Sequence, residues 1–270
     1  MNPNKALWEK GDFTRVAAAM RQSGQDLVDS LGLRPGDDVL DLGCGDGTTA
    51  LPAAQRGANV LGVDIASNLV DAGNTRALSA GLDNLRFQEG DASDLRDLAD
   101  DRFDLVLSVF GAMFAPRPFD VAREMVRVTR RGGRIVMGNW IPSDPTLIAQ
   151  VLKISSAFTP PPPEGFVSPM TWGVEATVTE RFVAAGIPAA NLAFERPTFV
   201  FRHPASPRDL VGVFKTYYGP TMNAFDAAAR DGRDDRLEAE LIDLFEAQNL
   251  AEPHRTEIPA TYLKVTASKP

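Results

Sequence analysis

Cysteine is almost missing from this 270-residue chain: Cys44 is the only one, so no intrachain disulfide can form. Histidine is nearly as scarce, with His203 and His254 alone, and neither sits in a motif that would pair it with a nucleophile or a metal. No Lys/Arg-rich run is present, and 28 basic against 36 acidic residues leave a net charge of −8. Affinity for a nucleic-acid backbone rests on Lys and Arg displacing counterions, so nucleic acid is not an expected partner. Long apolar runs are absent too. Nothing approaches the ~20 residues of a membrane span, and Met1 to Lys10 carries charge and proline where a signal peptide would carry an apolar core. What is present, 44% hydrophobic and 24% charged residues, is ordinary for a globular enzyme with its own core. The expectation is a cytoplasmic enzyme.

The most informative stretch is Val39-Leu-Asp-Leu-Gly-Cys-Gly-Asp-Gly47. An apolar strand enters it and a helix-forming stretch leaves it. Glycines there let the backbone turn tightly and approach a ligand with no Cβ in the way. About 20 residues past the glycines, Asp64 ends the next apolar run and is placed to accept hydrogen bonds from ribose hydroxyls. A dinucleotide fingerprint reads G-x-G-x-x-G, whereas here the third glycine, Gly47, follows after one residue. Asp41 and Asp46 would repel a diphosphate and suit a cofactor with a cationic amino-acid portion. That favours S-adenosylmethionine over NAD.

Hydrophobic periodicity predicts one or two helices over residues 6–31, then alternating strands and helices to Trp140. Strands are expected at 38–42, 59–63, 85–88, 103–109 and 133–139, with helices at 48–56, 68–80 and 121–128. Such alternation makes a parallel sheet with right-handed crossovers. Beyond Trp140 it lapses. Helices are expected at 146–157 and 174–185, a strand at 194–202, helices broken at Gly219-Pro220 and Gly232 over 207–249, and a last strand at 261–267.

In order and spacing, residues 35–140 resemble class I S-adenosylmethionine-dependent methyltransferases. Asp41 to Gly47 resembles the first motif, and Gly62-Val-Asp64 the acidic motif of the second strand. Gln88-Glu-Gly-Asp-Ala92 resembles the third-strand motif, Phe103 to Ser108 the fourth strand, and Arg130 to Met137 the glycine turn into the fifth. The general flavour is that of the small-molecule branch containing ubiquinone and menaquinone methyltransferases. The resemblance implies one domain over 1–270 with a Rossmann-like α/β fold: a seven-stranded, mostly parallel sheet with an antiparallel last strand and helices on both faces. Residues 35–140 would bind the cofactor, and helical insertions at 141–175 and 204–257 would roof a small-molecule acceptor.

On that reading Asp41, Gly43, Cys44 and Gly45 lie under the methionine portion, with Cys44 as filler. Asp64 holds the ribose, Ile65 packs on the adenine, and Asp91 and Ala92 meet its edge. Ser108 and Phe110 follow the fourth strand, where methyl and acceptor are aligned; Phe110 and Phe114 are rings that would favour a sulfonium. Trp140 and Asn139 end the fifth strand, and Trp8, Phe13 and Thr14 close over the cofactor from the N-terminal helix. Tyr217 and Tyr218, before Gly219-Pro220, are candidates to orient or deprotonate the acceptor, and His203 is a third candidate base. No metal site is expected. Two other readings compete: an NAD oxidoreductase, which would need a Tyr-x-x-x-Lys pair that the chain lacks, and a degenerate methyltransferase fold serving as a scaffold.

Overall fold

The computed structural model describes residues 4–270. Three short helices open it, α1 (Lys5–Glu9), α2 (Phe13–Ala18) and α3 (Arg21–Ser30), where one or two were expected. Alternation then sets in with β1 (Asp38–Leu42), α4 (Ala50–Gln55), β2 (Asn59–Asp64), α5 (Ser67–Ser79), β3 (Leu85–Glu89), β4 (Phe103–Val109), α6 (Pro118–Val128) and β5 (Thr129–Trp140). Val39 to Leu42 are all buried, as in a parallel strand covered on both faces. Pro118 sits in the first turn of α6, where its missing N–H has no helical partner to lose. The second half holds α7 (Leu147–Ala157), α8 (Glu175–Ala184), β6 (Leu192–Glu195), β7 (Thr198–His203), α9 (Pro207–Tyr217), α10 (Gly219–Arg230), α11 (Asp234–Gln248) and β8 (Thr256–Ser268).

The sheet has eight strands in the order β3-β2-β1-β4-β5-β8-β6, with β7 also paired to β8. β1 to β5 are parallel to one another, and β8 runs antiparallel to β5, β6 and β7. One more strand appears than expected because the stretch 194–202 divides at Pro197, which has no N–H to give a ladder. β6 pairs with the second half of β8 and β7 with the first. That first half begins at Thr256, earlier than the expected 261. Its Pro259 faces only β7, since β5 pairs with β8 from Tyr262 onward.

Two apolar layers flank the sheet. α3, α4 and α5 cover one face, and α6 and α8 the other. α7 packs on α10 and α11, and α9 on α11 and α2, forming a helical layer. Side chains from α7 and α9 share a cavity with Phe110, just past β4, and Trp140, at the end of β5. The 3₁₀ turn Pro169–Gly173 is not part of this layer; it packs against β5 and α8. Among the described residues, no helix is long and apolar enough to cross a membrane.

Candidate active site

The loop after β1 is shaped by its glycines. Gly43, Gly45 and Gly47 have φ of +67°, +54° and +89°. The amides of Gly43 and Cys44 both donate to the Val63 carbonyl, at 2.7 and 3.2 Å, which ties the loop to the end of β2. From the other side the chain past β4 crosses it. A Cβ on Gly111 would lie 2.2 Å from the Gly43 carbonyl oxygen, and one on Gly43 would lie 2.7 Å from the Gly111 Cα. Backbone meets backbone there, so neither position admits a side chain. Gly111 had no distinguishing signal in the sequence, because its requirement comes from a partner 68 residues away (111 − 43).

Asp64 is buried and accepts hydrogen bonds from the Gly45 amide at 2.8 Å and the Ala66 amide at 2.9 Å. It therefore braces the glycine loop as well as facing the cleft. Burial pushes its carboxyl above the usual range, and the amide bonds oppose that. Asp41 lies behind the loop and does not line the cleft. Burial, opposed by the Thr49 hydrogen bond at 2.6 Å and assisted by the Asp64 charge, raises its carboxyl to about 7. Its Oδ1 is fully buried with no hydrogen-bond partner. Asp46 differs from the reading that set its charge against a diphosphate. Arg21 holds it with both Nη atoms, one at 3.0 Å, and Arg76 stands 3.5 Å away, so its charge is already balanced. The Cys44 Sγ lies 3.5 Å from the Gly45 carbonyl, and burial pushes the thiol well up, which suits filler and not a nucleophile.

A cleft of about 930 Å³, measured to its open mouth, runs along this loop. Gly43, Cys44, Gly45, Asp64, Ile65 and Ala92 line one side, and Phe110, Gly111 and Phe114 another, while Trp8, Phe13 and Met20 close it from the N-terminal helices. Besides Asp41, other expected residues are not on its surface. Asp91 accepts from the Ser93 amide and hydroxyl, at 2.9 and 2.7 Å, capping the turn that presents Ala92. Ser108 is buried, donates to the Leu42 carbonyl at 2.6 Å and accepts from the Ala112 amide at 3.0 Å, so it clamps β4 to β1. Thr14 likewise stays outside, with its amide and hydroxyl both donating to Asp12.

A second cavity of about 310 Å³ adjoins the first and shares Trp8, Phe13, Met20, Phe110 and Phe114 with it. Phe110 lines both. Its φ of +61° is a left-handed conformation that a bulky residue rarely holds, and its ring stacks on Trp140 at 3.6 Å. Tyr218 lines this cavity; Tyr217 lines neither, its ring lying under Arg15 at 6.0 Å. His203 also lines neither, and its Nδ1 accepts from the Ala205 amide at 3.3 Å. Asn139 is buried on β5 with no partner for its amide group.

The residues present fit a cationic, nucleoside-bearing ligand. The buried carboxylate of Asp64 lines the cleft, Asp41 backs the loop from behind, and the loop backbone is bare enough for close approach. Residues 40–137 match the family described as "Methyltransferase domain". An uncharacterized protein of Mycobacterium tuberculosis is 34% identical over 84% of this chain and 80% of its own length. A 27-O-demethylrifamycin SV methyltransferase of Amycolatopsis mediterranei is 32% identical over 57% of each chain. Among solved structures, the YcgJ protein of Bacillus subtilis has a TM-score of 0.58 at 21% identity, covering 92% of this chain and 98% of its own, a likeness of fold. None of these relatives is named as a ubiquinone or menaquinone enzyme. Residues 40–137 belong to the methyltransferase-domain family, and the cofactor of this chain is S-adenosylmethionine.

Proposed function

We propose that this protein transfers the methyl group of S-adenosylmethionine to a small-molecule acceptor in the cytoplasm. The observation that carries the reading is the meeting of two cavities that share Phe110: a glycine-floored cleft with acidic residues, and an apolar, aromatic-walled cavity beside it. Residues 35–140 hold the cofactor, and helices of 141–175 and 204–257 cover the acceptor. The backbone of Gly43 and Gly45 forms the floor, with Asp41 supporting the loop from behind, and Asp64 has lone pairs left for the ribose. Ile65 and Ala92 bracket the base, while Asp91 caps the turn that presents Ala92.

Bound S-adenosylmethionine supplies a methyl group already activated by the positive sulfur. The chain's own task is then to align the acceptor and exclude water, and such positioning can account for a large part of the rate enhancement. Trp8, Phe13, Phe110 and Phe114 do both, since they wall the junction with rings. The methyltransferase relative from Amycolatopsis, named for a small-molecule substrate, supports an acceptor of that size class. The test is incubation with methyl-labelled S-adenosylmethionine and a small-molecule extract, followed by product detection. Labelled small molecules are the expected result. Stoichiometric cofactor binding with no labelled product would instead fit the scaffold reading.

A further inference from the structure

We propose that the acceptor is a flat, apolar ring system bearing one weakly acidic hydroxyl, seated in the aromatic chamber with that oxygen against Tyr218. This rests on the methyl-transfer reading above. The chamber is walled by Phe110, Trp140, Ile148, Phe201 and Phe214, and among the described residues that line it none is charged. A strongly polar acceptor would lose its water there with nothing to replace it, a cost that selects against sugars and amino acids. A protonated amine would meet no counter-ion and would lie beside a sulfonium. The aromatic walls suit one or two fused rings that stack on them.

Among the described residues, Tyr218 carries the only side-chain hydroxyl lining the chamber. The rings of Trp8, Phe13 and Phe214 pack on it at centroid distances of 6.2, 6.2 and 5.3 Å. Gly219 holds the next turn against Leu7, and no titratable or charged side chain lines the chamber around the phenol. Its hydroxyl has no hydrogen-bond partner among the described residues, and burial pushes its ionisation above the usual value. Tyr218 is thus a donor waiting for an oxygen, not a base. With no base in the chamber, the acceptor must give up its proton to water before it is enclosed, which a phenol-type hydroxyl with an ordinary pKa of about 10 does to a small extent near neutral pH and increasingly as pH rises. The bound oxyanion then takes the methyl carbon with its own electron pair as the carbon–sulfur bond breaks. The bonding pair stays on sulfur, and S-adenosylhomocysteine and the methyl ether leave neutral.

Wild type, Tyr218→Phe and Ile148→Trp are first tested for S-adenosylhomocysteine binding by calorimetry, which reads the cofactor site alone. Tryptophan fluorescence of the loaded protein then follows 2-naphthol, the more acidic 6-cyano-2-naphthol, naphthalene and benzylamine, and labelled methyl transfer is measured across pH. The naphthols should quench and be methylated, with kcat/KM rising until each naphthol ionises and the cyano compound shifted to lower pH. Tyr218→Phe should lose roughly tenfold in kcat/KM for 2-naphthol, in line with a lost hydrogen bond to an anion, and less for the cyano compound. Ile148→Trp, which fills the chamber, should abolish naphthol quenching with cofactor binding unchanged; it and the pH profiles decide the matter if Tyr218→Phe does not fold. If S-adenosylhomocysteine binds but the naphthols neither quench nor react, the acceptor proposal falls and the methyl-transfer reading stands. Equal binding of naphthalene with an unaltered Tyr218→Phe overturns the role of Tyr218. Failure of S-adenosylhomocysteine to bind removes both.

Discussion

Replacing Asp64 with Ala takes one carboxylate away from two backbone amides, those of Gly45 and Ala66 at 2.8 and 2.9 Å. Hydrogen bonds to a charged group contribute roughly 1.5–3 kcal/mol each, so the gross loss is about 3–6 kcal/mol. Two effects reduce it. The carboxylate is buried and its ionisation is disfavoured there, so removal also relieves a desolvation cost. The Gly45 amide also borders the cleft, where water can replace the lost partner. A net loss of about 2–3 kcal/mol of stability follows, or roughly 5–10 °C in melting temperature for a chain of this size. Affinity for S-adenosylhomocysteine should fall as well, by about 1.5–3 kcal/mol, because the ribose loses its charged acceptor and the loop loses its brace. Denaturant unfolding reads the first effect and calorimetry the second. Wild-type stability together with wild-type affinity would show that the loop is held elsewhere and that the ribose does not use this residue.

Gly111→Ala puts a methyl against the Gly43 carbonyl and should cost about 1–3 kcal/mol in denaturant unfolding while also weakening S-adenosylhomocysteine binding; a neutral effect on both would deny the backbone crossing. Asp41 has its folded carboxyl raised to about 7, so the stability of its protonated form is fully present below about pH 4 and is lost as pH rises through 7. Asp41→Asn should therefore stabilise the ligand-free protein at pH 8, by up to about 4 kcal/mol, and do little near pH 4; equal effects at both pH values would refute this. Arg21→Ala leaves buried Asp46 with Arg76 alone and should cost about 1–3 kcal/mol, less than a fully broken buried pair, and a stability unchanged in denaturant would contradict that.

The strand–helix alternation up to Trp140 was readable because each parallel strand is a short apolar run between turn signals. Two features escaped. Pro197 divides one apparent strand, and Pro259 disguises the beginning of β8, since a proline reads as an interruption unless the pairing on each side is known. In the site, Gly43, Gly45, Asp64, Ile65, Ala92 and Phe110 reach the cleft. Asp91 and Ser108 do not, because residues near a ligand in sequence can spend their polar atoms on the backbone. Of the three candidate acceptor residues, only Tyr218 faces a cavity. Tyr217 and Tyr218 are indistinguishable by type and neighbourhood, and the helix end at Tyr217 turns them to different sides. The ion pairs of Asp46 were invisible for a related reason, as Arg21 and Arg76 lie on separate helices.

Isothermal calorimetry of the purified chain against S-adenosylhomocysteine and, separately, NAD tests the central claim most directly. The account predicts one saturable site for S-adenosylhomocysteine and no heat from NAD, because Gly43, Gly45 and Gly47 leave no dinucleotide spacing and the carboxylate of Asp64 lines the cleft where a diphosphate would lie. Micromolar binding of NAD with none of S-adenosylhomocysteine would contradict it.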